Sequence, residues 1–514
     1  MANIIIYQKD GEPIPSSELD FKITKAEQNI KLFADNVLNV EIQSNKVLPL
    51  AIGCYIEYCG EIYTLNQLPT VVKNSSVNFT STMQFESIQY ELLDCAWLLP
   101  ADTYGDSFTG NLESFLNILI ENTQRNTKTW RVEYMVGDVD FMKEYKTLTY
   151  TQTNCLNVLQ NLCKEFGFEY KFVLDGDERV IEIYETIGDT FPARFRYGQS
   201  GGAYKIERKT TNNKNVITKL FVFGSDKNLP TGYRENKLCL PNASRNLSYI
   251  TDAEAQAYYG IKESVKYFTD IYPQRYGKIT SLVPNSSASH AQYDYNAFYD
   301  SSMDFDLNET DENGDTKWLI DGTTAKIQMV TGNLAGYQFE LKKFYRQYGR
   351  SGLPAFFVKT YTDANGLKFP NPNSAAFQFQ VEDEYFITDI RLPNSYVTSA
   401  ENKLKDEGQK YFDAYCKPQV SYAISIDNFF LQALYGETRI EQTIFKTGDY
   451  IEVYDTDLEI LKKLRISQFT RNLLNPYEFT VNISDNVEIT STFQRIVSDI
   501  ADIKNIITIS MKNK

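Results

Sequence analysis

Residues of the kind that carry out enzymatic chemistry are scarce in this 514-residue chain. It holds one histidine, His290, within "SSASHAQY". That count excludes a zinc site built on two histidines, an HExxH peptidase, and every histidine relay except one built on His290 itself. A nucleophile for such a relay is offered by "GQSGG", Gly198 to Gly202, which matches G-x-S-x-G with Ser200 at its centre. A nucleophile elbow needs a strand leading into a helix, whereas "ARFRYGQSGG" is followed by the strand-like "AYKIERKT". The motif therefore reads as a glycine turn. "DLNETDENGD", Asp306 to Asp315, has the acids of a calcium loop but places Asp311 sixth and Lys317 twelfth, where the loop requires Gly and Glu. It reads as a solvated turn. "LKKFYRQYGR", Leu341 to Arg350, mixes basic and aromatic residues that could stack on sugars or bases, and reads as a solvated strand face. No pair of carboxylates for glycoside hydrolysis can be chosen among 67 acids. No catalytic, cofactor-binding or metal-binding residue is assigned, and the chain is expected not to be an enzyme.

Seven cysteines, at 54, 59, 95, 155, 163, 239 and 416, form an odd, scattered set. Such spacing is not that of a disulfide framework, so they are expected to be reduced and mostly packed inside. Cys54 and Cys59 would face opposite sides of one continuous strand and so could not share a metal. The 67 acidic and 52 basic residues give a net charge of −15, which repels phosphate backbones and anionic lipid and excludes a nucleic-acid reader. "MANIIIYQKDGEP" turns polar after seven residues, and no later stretch approaches the ~18 apolar residues of a membrane span. The chain is expected to be soluble, made in a cytosol, and not inserted in a membrane.

A chain of this length should divide into about three to five units, and its 36 Tyr and 32 Phe favour strands. Residues 1–100 alternate in short runs such as "NVLNVEIQS" and "CYIEYCGEIYTL", the pattern of a β-barrel or sandwich. Helical spacing then takes over. "LESFLNILIENT" puts Leu112, Phe115, Leu116, Leu119 and Ile120 on one face, and "TNCLNVLQNLCKEFG" repeats this between a Thr153 cap and a Gly167 stop. A hairpin with Asp175 and Gly176 at its tip completes a small α+β insert at 101–202. "NVITKLFVFGSDKNLP" is expected to return to the first barrel, over about 203–228. Residues 229–370 are Tyr-rich and loop-rich, with a stretch at 285–316 too polar to form a core, and read as a peripheral domain. Strands resume at 371–488 as a second barrel. It contains "GDYIEVYD", which shares G-x-Y-I-E, Gly448 to Glu452, with Gly53 to Glu57 in the first, so the simplest account is a duplicated fold. In 489–514, Ile489, Phe493, Ile496, Ile500, Ile503 and Ile507 step by alternate fours and threes. That is a coiled-coil seam whose isoleucines favour three or more strands over two. Its length of under three heptads also leaves room for an amphipathic helix docked on its own core.

"FVFGSDKNLPTGYR", "VTGNLAGYQFEL", "DEYFITDIRLPNSYVTSAENKLKDEGQKYFDAY" and "FKTGDYIEVYD" resemble the baseplate-hub and tail-associated lysin family of phage tails, most closely the tail proteins of phages and prophages of gut Bacteroidetes. The resemblance spans nearly the whole chain. It implies a mainly β fold of two tandem tail-tube-like barrels with an α+β insert, a peripheral domain and a C-terminal coiled coil. It also implies a homotrimer at the tail tip of the virion, assembled in the host cytoplasm. Its partners would be the tail tube, distal tail proteins and tip or fibre proteins at the C-terminus, with phage DNA passing through. Three chains with two barrels each would meet the sixfold tube. Some family members continue into a peptidoglycan hydrolase, and hubs of contractile injection systems share the architecture, so both stand as alternatives.

The seam is too short to hold an assembly by itself, since each buried isoleucine contributes roughly 1.5–3 kcal/mol before the entropy of ordering the tail is subtracted. Ile500→Asp with Ile503→Asp, or removal of residues 489–514, is expected to weaken trimers without abolishing them. Light scattering on dilution reads the change, and complete dissociation would show that the seam holds the assembly.

Overall fold

The computed structural model describes residues 4–14, 20–100, 107–125, 129–137, 139–198, 201–210, 216–284, 293–362, 366, 368–374, 377–417, 420–435, 446–458, 460–475 and 479–484. The chain is mainly β, and thirteen strands share one continuous sheet. Phe21–Lys31 and Asn36–Ser44 form a hairpin in which Ala26 lies opposite Val40. Asn78–Ser87 flanks Asn36–Ser44, Glu61–Leu65 flanks Asn78–Ser87, and Tyr55–Tyr58 follows. The turn between these last two, Cys59 and Gly60, has positive φ at both residues, 53° and 81°, matching the twist of a tight hairpin. Cys59 is thus exposed at a turn while Cys54 is buried, and what separates the two thiols is the turn, not strand alternation. Alternate residues of these strands, Leu38, Ile42, Tyr63, Leu65 and Phe85 among them, fill one core.

Six further strands close a barrel. Around the ring they run Thr190–Tyr197, Tyr450–Asp455, Ile460–Asn472, Phe479–Ser484, Val420–Ile426 and Gly202–Thr210. The last pairs back to the first at Arg196 with Gly202 and Tyr197 with Ala203. This order repeats the N-terminal unit, whose strands run Ile6–Tyr7, Tyr55–Tyr58, Glu61–Leu65, Asn78–Ser87, Asn36–Ser44 and Phe21–Lys31. From the second strand onward all pairings are antiparallel in both units. The first strand differs, Ile6–Tyr7 being antiparallel and Thr190–Tyr197 parallel to its neighbour. The repeated G-x-Y-I-E falls on equivalent strands. Gly53 and Gly448 both have φ 97°, and their N–H groups donate to Leu65 O and Ile466 O at 2.9 Å each. Ile56 and Ile451 are both buried.

The expected return to the N-terminal unit at 203–228 is not made. Gly202–Thr210 enters the C-terminal barrel, and Lys219–Phe223 sits between Tyr249–Thr251 and Glu263–Tyr267 in a separate sheet. The helix Asn394–Tyr415 covers that sheet, with Leu404 and Phe412 in a common core with Leu220 and Val222. Thr190–Tyr197, expected in the insert, is a barrel strand, and Glu384–Thr388, expected in the second barrel, pairs with Lys326–Met329 in the Tyr-rich domain. Alternation shows that a strand has a core face. It does not show which of several cores receives that face.

The Tyr-rich domain is a seven-stranded sheet whose two end strands, Tyr276–Lys278 and Ser281–Pro284, are consecutive pieces of one segment. Between them, Ile279 N–H donates to Asp383 O and Thr280 N–H to Tyr299 O, so the sheet curls back on itself. The polar stretch expected to lack a core supplies the strand Tyr293–Tyr299 and buries Phe298, Met303, Phe305 and Leu307. The insert packs helices Leu112–Thr123 and Cys155–Phe166 on a sheet of Trp130–Tyr134, Glu178–Tyr184 and Glu169–Asp175. Asn154, not Thr153, caps the second helix, accepting from Asn157 N–H at 3.0 Å, because it directly precedes the first helical residue, Cys155. The hairpin tip is Gly176 and Asp177, since Asp175 still pairs with Glu178.

The two matched glycines make a controlled comparison. At Gly448 an added Cβ lies 2.9 Å from Ile187 Cγ1, whereas at Gly53 it meets only the flexible Lys9 side chain at 3.1 Å. Both positions carry the left-handed penalty of about 1–2 kcal/mol. Gly448→Ala should therefore lower the urea midpoint more than Gly53→Ala, and equal losses would contradict the close approach.

Candidate functional site

One strand serves both β units. Ile460–Asn472 has thirteen residues and spans about 43 Å at a strand's usual rise. One edge bonds to Phe479–Ser484. Along the other edge it pairs first with Tyr450–Asp455 and then, from Gln468 to Asn472, with Lys31 to Glu27 of the N-terminal unit. The N-terminal unit is not closed on itself by pairing among the described residues. Its last strand is taken up by the barrel instead.

At this joint Arg471 is fully buried, 0% exposed. Its Nη1 donates to Tyr58 Oη at 2.9 Å, and its guanidinium lies 5.1 Å from the Phe469 ring. Gln28, opposite it in register and 1% exposed, donates Nε2–H to Tyr63 Oη at 2.8 Å. The Tyr63 hydroxyl faces Glu61 Oε2 at 2.7 Å and Asn36 Oδ1 at 2.9 Å. Burial, reinforced by the Glu61 carboxylate, pushes this phenol well above its usual pKa, so it remains a neutral donor. These contacts tie the buried Gln28 and Arg471 to two tyrosines of the N-terminal unit.

The insert is locked to the same strand. Arg465 grips Glu169 through two parallel bonds, Nη1 to Oε1 at 2.7 Å and Nη2 to Oε2 at 2.6 Å. It also donates to the carbonyls of Gly448 and Ile187 at 3.0 and 2.9 Å. Alongside, Gly188 lies so close that an added Cβ would fall 2.0 Å from Gly448 O. A cleft of about 220 Å³, lined by Phe33, Asn36, Glu61, Gln89, Tyr170 and Lys446, marks where the three bodies meet.

Charge is unevenly spread. On Thr190–Tyr197 and Gly202–Thr210 the exposed charges are Arg194, Arg196, Lys205, Arg208 and Lys209 against one acid, Glu207. Arg194 pairs with Glu452 at 2.8 Å beside an open groove of about 580 Å³ that Arg196 also lines. These two neighbouring strands are locally basic on a chain of net charge −15.

The six seam residues, Ile489, Phe493, Ile496, Ile500, Ile503 and Ile507, lie outside the described residues, as do Ser200 and His290. In the Asp306–Asp315 stretch the acids serve the turn. Asp311 Oδ1 accepts from the N–H groups of Asn313 and Asp315 at 2.9 and 3.0 Å, and Asp306 Oδ1 accepts from Asn308 N–H at 2.9 Å. Among the described residues no group of three or more His, Cys, Asp or Glu could hold a metal. Leu341–Arg350 begins in the strand Gln338–Tyr348, where Phe344 enters the core and Tyr345 packs on Phe357 at 5.6 Å. Six of the seven cysteines are buried, and burial pushes the Cys155 thiol up to about 12. Sequence reasoning missed the joint itself. Its one legible sign was Arg471 in the inward phase between Phe469 and Leu473, both fully buried.

No family model and no curated protein matches the chain. Among solved structures it is similar to the prophage tail protein gp18 from Listeria monocytogenes EGD-e, at 12% identity and a TM-score of 0.44, over 99% of this chain and 100% of that one. It is similar also to the 43 kDa tail protein of prophage MuSo2 from Shewanella oneidensis, at 8% identity and 0.45, over 94% and 97%. A tail protein from Neisseria meningitidis MC58 matches at 7% identity and 0.44, over 95% and 97%.

Removing one member of a part-buried ion pair strands the other. Arg465→Met should cost about 3–5 kcal/mol by that measure, while Glu169→Gln, which keeps one oxygen to accept from the guanidinium but sets an amide N–H against its other donors, should cost part of that. Urea denaturation followed by tyrosine fluorescence separates the two. Equal, small losses would show that the clamp does not hold the insert.

Proposed function

We propose that the chain is a structural hub at the tip of a phage tail. Three copies form a ring that adapts the sixfold tail tube to a threefold tip, closes the DNA channel before infection and anchors distal receptor-binding or cell-puncturing parts. The observation that carries this reading is the duplication. Two β units with the same strand order, held in fixed relation by a shared strand and a buried arginine, are what a chain needs to count as two positions in a ring of six. The motifs that resemble Bacteroidetes phage tail proteins give the reading its biological setting, a virion assembled in the host cytoplasm.

In this reading the α+β insert and the Tyr-rich domain are lateral decorations of the ring. The Ile489–Ile507 seam gathers the three C-termini toward tip or fibre proteins. The acidic balance of the chain suits a conduit through which DNA slides without sticking. No catalytic role is assigned to any residue.

Light scattering on the purified chain tests the reading together with electron microscopy of the same sample. The expected result is a trimer that appears as a six-lobed ring around a central opening. A stable dimer or hexamer, or a monomer at particle-assembly concentrations, would overturn it.

A further inference from the structure

The joint inside the chain has an unfilled counterpart. Strand registers, counted from the matched Tyr55 and Tyr450, fix the correspondence between the two units residue by residue. Val40 lies opposite Ala26 on one side and Met83 on the other, while Ile424 lies opposite Ile206 and Val481. Carried along the strands, this makes Glu27, Gln28 and Asn29 equivalent to Glu207, Arg208 and Lys209. On the other side of the joint, Thr470 lies opposite Thr480 and Thr70 opposite Thr82. Thr470, Arg471 and Asn472 are therefore equivalent to Thr70, Val71 and Val72.

In the C-terminal barrel the edge Gln468–Asn472 is covered by Glu27–Lys31. Its equivalent, Thr70–Ser75, pairs among the described residues only with Asn78–Ser87, and every one of its residues is exposed, Val71 at 41% and Val72 at 52%. The strand equivalent to the covering one, Gly202–Thr210, pairs through Ala203–Thr210 with Val420–Ile426 and, on its other side, only at Gly202 and Ala203 with Thr190–Tyr197. The rest of that second edge is open among the described residues. The contrast in burial is sharp: Gln28 and Arg471 are 1% and 0% exposed at the filled joint, while Arg208 and Val71 are both exposed at the open one. One arginine is present at each joint, carried by opposite strands.

We propose that the edge Thr70–Val72 of one chain pairs antiparallel with Glu207–Lys209 of a second copy, reproducing between chains the pairing that Thr470–Asn472 and Glu27–Asn29 make within one. Thr70 then lies opposite Lys209, Val71 opposite Arg208 and Val72 opposite Glu207. The inference rests on the ring reading above and names the surfaces that build the ring. It also accounts for an exposed edge strand that carries two neighbouring valines, since an uncovered edge templates pairing with another chain. Each chain carries one donor edge and one acceptor edge, a heterologous contact that closes when the rotation per chain divides a full turn.

A disulfide across the proposed pair tests it. Within the chain, Leu473 N–H donates to Ala26 O at 2.8 Å and Leu32 N–H to Ser467 O at 3.0 Å. Glu27 and Asn472 are thus a non-hydrogen-bonded pair, the closer type, with Cα atoms about 4.5 Å apart, within the span of a disulfide. Val72→Cys with Glu207→Cys, and independently Thr70→Cys with Lys209→Cys, should on mild oxidation give covalent ladders that stop at three chains. Both pairs are made on a Cys59→Ser background, because Cys59 is an exposed native thiol, and the four single variants should then give none. A wild-type trimer by light scattering without ladders in either double variant would overturn the strand pairing and leave the trimer standing. A monomer at all concentrations would remove the ring and the pairing together. Ladders running past three, or bonds formed by single variants, would overturn the closed, specific contact.

Discussion

Everything else in this molecule is placed by the strand Ile460–Asn472. A strand has two edges of unpaired amide and carbonyl groups, and both must be satisfied. Here one edge is divided between two clients, Tyr450–Asp455 and Glu27–Lys31, while the other stays with Phe479–Ser484. A one-residue slip at either client would turn Gln28 or Ile451 to the wrong face. The two β units are therefore registered to each other by backbone hydrogen bonds, not by a flexible linker. Arg471 reinforces that register, because a fully buried guanidinium tolerates few positions of the Tyr58 hydroxyl it faces.

The same strand carries the clamp on the insert, so three bodies take their positions from thirteen residues. The insert's helices and sheet share one core, which runs from Leu92 to Ile183, and contacts with the barrel fix its orientation. That orientation comes from Arg465 gripping Glu169 and from backbone contact at Gly188 and Gly448. Only glycine permits that approach. A side chain at either position would push the insert away from the barrel wall and open the cleft between them.

Net charge is a weak guide to such a surface. A chain at −15 nonetheless concentrates Arg194, Arg196, Lys205, Arg208 and Lys209 on two neighbouring strands. The equivalent strand of the N-terminal unit holds its matching residue, Gln28, under cover.

Local pattern in the sequence determined a good deal. Alternation in "NVLNVEIQS" and "YIEVYD" specified strands with one apolar face, and helical spacing in "LESFLNILIENT" and "CLNVLQNLCKEF" specified both insert helices. The repeat of G-x-Y-I-E pointed to duplication because a left-handed glycine before a buried strand is a local requirement, met at Gly53 and Gly448 with the same φ. Tertiary structure alone decided which strands share a sheet. Thr190–Tyr197 and Gly202–Thr210 join strands more than two hundred residues away, and Glu384–Thr388 joins a different domain from its sequence neighbours Val420–Ile426. Backbone hydrogen bonding is the same for every strand, so partner choice rests on how side-chain volumes fit a particular core. It rests also on single long-range contacts such as Arg465 with Glu169. Neither has a period, and a sequence read along its length displays only what repeats.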